Sequence, residues 1–180
     1  MIEPESRPLC RNVELKARLS DFEGARRLAA QLTAGPPEVL RQVDTYFHCA
    51  HGRLKLREIV GRPSELIAYA RADETAPRAS RYRIVPVADT LALRALLTAA
   101  LGTSVVVEKV REFSLYGNVR IHLDQVRGLG TFLEFEAVLT ATDEVADGAR
   151  QVRDLCRQFG LSPQDLVAAS YSDLLRIASA

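Results

Sequence analysis

Asn12-Val13-Glu14-Leu15-Lys16-Ala17-Arg18-Leu19 alternates polar and apolar residues without a break, the period of a strand with one buried face. Successive side chains of a strand point to opposite sides, so Asn12, Glu14, Lys16 and Arg18 share one face, and Val13, Leu15, Ala17 and Leu19 the other. Which face turns inward decides both the fold and its use.

The same pattern recurs along the chain. Residues 41–49, 52–60 and 65–72 read as strands set apart by Gly- or Pro-containing turns, as do 81–87, 103–115, 118–126 and 131–139. Ser20 with Glu23 has the form of a capping box opening a helix to about Leu32. Asp89 is placed to cap a second helix to about Leu101, closed by Gly102. Residues 144–159 read as a third helix, and Ser162-Pro163 as the start of a fourth that ends near Ile177. The order β-α-β-β-β thus occurs twice, followed by C-terminal helices. This predicts an α+β fold: an eight-stranded, mostly antiparallel, closed or nearly closed β-barrel with helices packed outside. A length of 180 residues suits a single domain over 1–180, with its core at about 10–177.

Composition narrows the function. Apolar residues make up 47% of the chain and charged residues 26%, which suits globular folding. A net charge of +1 argues against a nucleic-acid binder. No apolar run has membrane-spanning length and residues 1–12 lack the apolar stretch of a signal peptide, so a cytoplasmic protein without membrane contact is expected. Cys10, Cys49 and Cys156 are odd in number and lack metal-ligand spacing, which reads as reduced thiols.

The charges are sorted by face. Arg53, Lys55 and Arg57 lie opposite Leu54 and Leu56. Lys109 and Arg111 share a face, as do Arg120, His122 and Asp124, and Glu134 and Glu136. For any one strand, a solvated outer face explains the pattern. Three features of the set favour an inward reading. The opposite faces are aliphatic and match amphipathic helices that need something to cover. Cations and carboxylates are segregated by strand. And the three lysines of the chain, Lys16, Lys55 and Lys109, all fall on these faces although arginines number 21. A barrel filled with cations and a few carboxylates is unfavourable unless a polyanion and metal ions neutralise it. A triphosphate with Mg2+ or Mn2+ does so.

These residues resemble the CYTH superfamily of class IV adenylate cyclases and thiamine triphosphatases. NVELKARL is similar to its Glu-x-Glu-x-Lys signature, and the likeness runs on through QVDTYF, GRLKLRE, ELIAYARAD, RASRY, VEKVRE, NVRIHLDQVRGLGTFLEFEAV and SYSDLL. The resemblance implies an eight-stranded tunnel that binds and cleaves a triphosphate compound with Mg2+ or Mn2+. It implies metal-binding carboxylates at Glu14, Glu134 and Glu136. It implies phosphate-binding cations at Lys16, Lys55, Arg57, Arg71, Lys109, Arg111 and Arg120, with Arg78 as a further candidate. Glu14 and Lys16 are the implied catalytic pair. Asp124 resembles a further acidic tunnel residue, placed with the metal set, although an ion pair to a neighbouring arginine serves it equally. His122 is assigned a hydrogen-bonding or structural role rather than metal ligation.

Two departures stand out. Asn12 replaces the first glutamate of the signature and offers only a neutral carbonyl. Arg71 occupies the position where some triphosphatases of the superfamily pair a lysine with a strand tyrosine, here Tyr46, and a guanidinium keeps its proton. The partner implied is tripolyphosphate, ATP or thiamine triphosphate. Cleavage follows either a cyclase course, giving cyclic AMP and pyrophosphate, or a triphosphatase course. The alternative is a polyphosphate or nucleotide binder without catalysis, motivated by Asn12.

Overall fold

A computed structural model describes residues 10–178; the polar leader, and with it the reading of 1–12 as no signal peptide, lies almost wholly outside the described residues. The elements follow the order β1 (Cys10–Arg18), α1 (Phe22–Leu32), β2 (Glu38–Phe47), β3 (Arg53–Ile59), β4 (Ser64–Arg71), β5 (Arg78–Val87), α2 (Thr90–Leu101), β6 (Thr103–Tyr116), β7 (Val119–Val126), β8 (Gly130–Leu139), α3 (Val145–Gln158) and α4 (Tyr171–Ala178). The strands close into a barrel in the order β1-β5-β4-β3-β2-β6-β7-β8, with β8 returning to β1. All neighbouring pairs are antiparallel. Among the described residues no helix is long and apolar enough to cross a membrane.

The larger apolar cluster lies outside the barrel, and a smaller one of Tyr46, Val107, Val126, Phe132 and Tyr171 borders the interior. Val13 and Leu15 of β1, Ile121 and Leu123 of β7, and Leu133 and Phe135 of β8 pack against Ala25 and Ala29 of α1 and Val152 and Leu155 of α3. Because the aliphatic parity faces these helices, the charged parity of the same strands faces the interior. Close helix-on-sheet approach is set by Gly148 on α3, where an added Cβ would lie 3.0 Å from Leu139 Cδ2 and 3.1 Å from Val13 Cγ2. The α2 helix differs from its amphipathic reading. It buries no residue fully, and Leu91 and Leu96 stay exposed.

Two local readings are corrected. The α1 helix is capped by Asp21, which accepts from Gly24 N at 2.8 Å, and not by a Ser20–Glu23 box. The segment after Ser162-Pro163 is not one helix. It makes a single 3-10 turn, Pro163–Asp165, then extends so that Leu166 bridges Ala17 and Val167 N donates to Lys16 O at 2.8 Å. Helix α4 begins only at Tyr171, with Asp173 accepting from Ser170 N. That extension seals the side of β1 and delivers Ser170 and Tyr171 to the interior.

Candidate active site

The barrel interior is one cavity to which all eight strands contribute. Its wall holds Glu14 and Lys16 of β1, Lys55 and Arg57 of β3, Arg71 of β4, Lys109 and Arg111 of β6, Arg120 of β7, and Glu134 and Glu136 of β8. Strand parity had pointed to nine of these ten, and the family resemblance to Arg71. Asp44 of β2 lines it as well. Seven cations thus meet four carboxylates there, an excess of three positive charges. Arg78 and Asp124 stand behind the lining and leave that excess unchanged.

Two aspartates organise the cations. Asp44 accepts from Lys55 Nζ at 2.8 Å and Arg57 Nε at 3.0 Å. Asp124, wholly buried, accepts from Lys109 Nζ at 3.1 Å, Arg111 Nε at 2.6 Å and the Tyr171 hydroxyl at 2.9 Å. Each aspartate is the ladder partner of the arginine it binds, Asp44 of Arg57 and Asp124 of Arg111. The same clamp on a Lys-x-Arg pair is therefore built twice, with the strand roles exchanged between the β2–β3 and β6–β7 hairpins. Burial opposes ionisation of both aspartates, yet the adjoining arginine and lysine outweigh it and hold both carboxyls far below the usual range. Asp124 stands behind the cavity lining and is held by Lys109, Arg111 and Tyr171, so the geometry supports an ion-pair role for it.

The remaining acids lie on β1 and β8. Glu14 and Glu136 are ladder partners, as are Lys16 and Glu134. Lys16 Nζ lies 3.0 Å from Glu134 Oε1 and 3.5 Å from the centre of the Tyr171 ring, and Arg111 also reaches Glu134. Arg71 Nε lies 3.1 Å from Glu14 Oε1 and Arg78 Nε 3.4 Å from it. Burial pushes the Glu14 carboxyl up, with Glu136 and Glu134 adding to the shift against the pull of Arg71 and Arg78. Arg78 is a prop behind Glu14, bonded also to Glu74 O and Val167 O. Arg120 is partly exposed and lies 3.5 Å from Glu136 Oε2.

Lysine protons are loosened here. Burial lowers Lys16 and Lys109, and it lowers Lys55 to about 8 with the help of Arg57 and Lys109. The cation beside the Tyr46 hydroxyl is Lys55, at 3.5 Å, while Arg71 is engaged with Glu14. Tyrosine and lysine thus still meet in this cavity, through a different strand from the one the sequence suggested.

Among the described residues three buried side-chain polar atoms have no hydrogen-bond partner: Asn12 Oδ1, in the cavity wall, Arg78 Nη2 and His122 Nδ1. His122 shares a compact group with Glu134 and Glu136, one ligand atom of each lying within 4.8 Å of the others.

The CYTH domain matches residues 11–171, nearly the whole of the described chain. The chain belongs to the CYTH family. This is a family of metal-dependent tunnel enzymes that take triphosphate substrates. A comparison with curated proteins finds no match. Among solved structures, the PH1012 protein of Pyrococcus horikoshii OT3 is 25% identical, with a TM-score of 0.80 over 91% of this chain and 98% of that one. A candidate adenylate cyclase from Vibrio parahaemolyticus is 22% identical, with a TM-score of 0.72 over 92% and 97%. A candidate adenylyl cyclase from Hippeastrum, for which a dominant triphosphatase activity is reported, is 14% identical, with a TM-score of 0.65 over 93% and 96%. These likenesses extend the CYTH tunnel to distant sequences.

Within this CYTH tunnel, sequence reading missed Asp44, Tyr69, Tyr82, Ile67 and Ile84 in the wall. Their signal was parity. Asp44 shares a face with Tyr46, and Ile67 and Tyr69 share one with Arg71.

Proposed function

We propose that this protein is a divalent-metal-dependent enzyme that binds the triphosphate group of its substrate inside the barrel and cleaves it there. The observation that carries the reading is the uncompensated excess of three cations in one cavity. An unpaired buried charge costs several kcal/mol, so such a wall is retained for a polyanion. Lysines supply rotatable point charges and arginines planar forks, both suited to phosphate oxygens.

The donor set fits a divalent cation. Glu134 and Glu136 project the same way from β8, Glu14 faces Glu136 across the ladder, and the unpartnered Asn12 carbonyl opens on the same cavity. When bound there, the ion would neutralise charge on the transferring phosphoryl group. Lys55, Arg57, Lys109 and Arg111 would hold the phosphate chain, and Arg71 and Arg120 its flanks. Lys16, beside Glu134, would stabilise charge on the leaving oxygen. Glu14, whose carboxyl burial holds above the usual range, would take the proton of the attacking hydroxyl or water.

One feature favours a substrate with an organic group. Ile67 stands opposite Ile84 and Tyr69 opposite Tyr82 on the β4–β5 wall, an apolar step in an otherwise charged lining. The deciding experiment offers tripolyphosphate, ATP and thiamine triphosphate, each with Mg2+ and Mn2+, and analyses phosphate, pyrophosphate and cyclic AMP. Pyrophosphate with cyclic AMP indicates the cyclase course and phosphate release the hydrolase course. Tight binding without turnover of any of the three indicates a polyphosphate or nucleotide binder, and binding of none contradicts the proposal.

A further inference from the structure

His122 stands opposite Glu134 in the β7–β8 ladder, two pairs along from Arg120 and Glu136 and next to them on the same face. Its ring is held against Phe113, centroids 5.7 Å apart. Its Nδ1 is aimed between the two acids, 3.8 Å from Glu134 Oε2 and 3.7 Å from Glu136 Oε1. Both separations exceed a hydrogen bond, which spans about 2.7–3.2 Å, so Nδ1 is a buried polar atom without a partner. Burying such an atom costs about 1–3 kcal/mol. A lone pair at Nδ1 facing two carboxylates would add repulsion. Both costs vanish if a cation sits among the three groups. Metal–nitrogen and metal–oxygen bonds of about 2.0–2.2 Å place neighbouring ligands roughly 3 Å apart, so a small inward shift from the observed spacing suffices. Arg120 takes Glu136 Oε2 and leaves Oε1 on the histidine side. Glu134 Oε2 also pairs with Arg111, so the ion would share that oxygen with the guanidinium or displace it.

We propose that His122 is a nitrogen ligand which, with Glu134 and Glu136, forms a divalent-cation site selective for a transition ion such as Mn2+ or Co2+ over Mg2+. This rests on the reading of the cavity as a metal and triphosphate site, and it assigns to that site a ligand type and an ion preference. Mg2+ holds its waters and takes oxygen donors, whereas imidazole raises affinity for transition ions.

The test is pulsed electron paramagnetic resonance of Mn2+ added alone to the full-length protein. Imidazole 14N modulation is expected on the bound ion in the wild type and is lost in His122→Gln. The exposed His48 and His51 remain in that variant and control for surface binding. Displacement of Mn2+ by Mg2+ should need at least about tenfold less Mg2+ in His122→Gln, the scale on which ligand-shell changes act. Bound Mn2+ without 14N modulation, modulation that persists in the variant, or no Mn2+ binding by the wild type would each overturn the proposal. The wild-type spectrum decides even if the variant folds poorly. If tripolyphosphate binding still requires Mg2+ when the nitrogen signal is missing, only the His122 assignment fails. If that binding needs no divalent ion at all, the metal-dependent reading of the cavity fails with it.

Discussion

Tyr171 donates its hydroxyl to Asp124 Oδ2 at 2.9 Å, tying the start of α4 to the buried clamp that holds Lys109 and Arg111. Tyr171→Phe keeps the ring under Lys16 and removes one hydrogen bond, so a loss of about 1–2 kcal/mol is expected. Asp124→Asn leaves the buried Lys109 without its counter-charge and Arg111 with Glu134 alone, and a loss of about 3–5 kcal/mol is expected. Urea denaturation of both variants checks the order. Equal losses would show that Asp124 is not what holds the two cations.

A pH dependence follows from Lys55. It faces Asp44 and Tyr46 of β2, Arg57 of its own strand, Tyr69 of β4 and Lys109 of β6. Burial lowers its folded value to about 8, below the ordinary 10.5. Between about pH 8 and 10.5 the unfolded chain therefore binds a proton that the folded chain has released. The cost of burying the charge is thus present below pH 8, and this group's contribution to stability improves as pH rises through that window. Phosphate binding runs the other way, because it needs the ammonium. Affinity for tripolyphosphate should fall as pH rises past 8 and should fall less in Lys55→Arg, whose charge persists. Parallel profiles for wild type and variant would refute the role of Lys55.

Fold and site were legible to different depths. Strict alternation from Asn12 to Leu19 and its recurrence gave the barrel, because a one-sided core imposes period two on a strand. Parity then placed the lysines and most arginines in one cavity. What parity could not give was partner choice. Which cation Asp124 holds, and that Lys55 and not Arg71 meets Tyr46, depends on the ladder register. The C-terminal misreading has a local cause. Ser162-Pro163 does start a turn, but pairing of Leu166 and Val167 with β1 overrides helical propensity until Tyr171.

The lysines test the wall as a phosphate site. Lys16→Arg, Lys55→Arg and Lys109→Arg each keep the charge but impose a planar fork at a crowded point. Each should weaken tripolyphosphate affinity in calorimetry. Arg26 of α1 is unsuitable as a control because it bonds both Glu23 and the buried Glu112. Arg157→Lys, on the exposed face of α3, serves instead and should change nothing. Parent-like affinity in all three lysine variants would remove the functional meaning of their placement.

Gly148 tests the outer core. Its Cβ position lies 3.0 Å from Leu139 and 3.1 Å from Val13, so Gly148→Val must push α3 off the barrel. Overpacking of this kind costs about 1–3 kcal/mol, read as a lowered thermal midpoint. An unchanged midpoint would mean that α3 does not seat on β1 and β8 as described.

The most direct measurement is calorimetric titration of tripolyphosphate into the wild type and the Glu134→Gln/Glu136→Gln double variant, each with and without Mn2+ and Mg2+. Thermal melting first confirms that the variant is folded. The cavity described predicts binding at one molecule per chain in the wild type, tightened at least about tenfold by the ion, and no such tightening in the double variant. An absence of binding in the wild type, or an undiminished response to the ion in the variant, would contradict it.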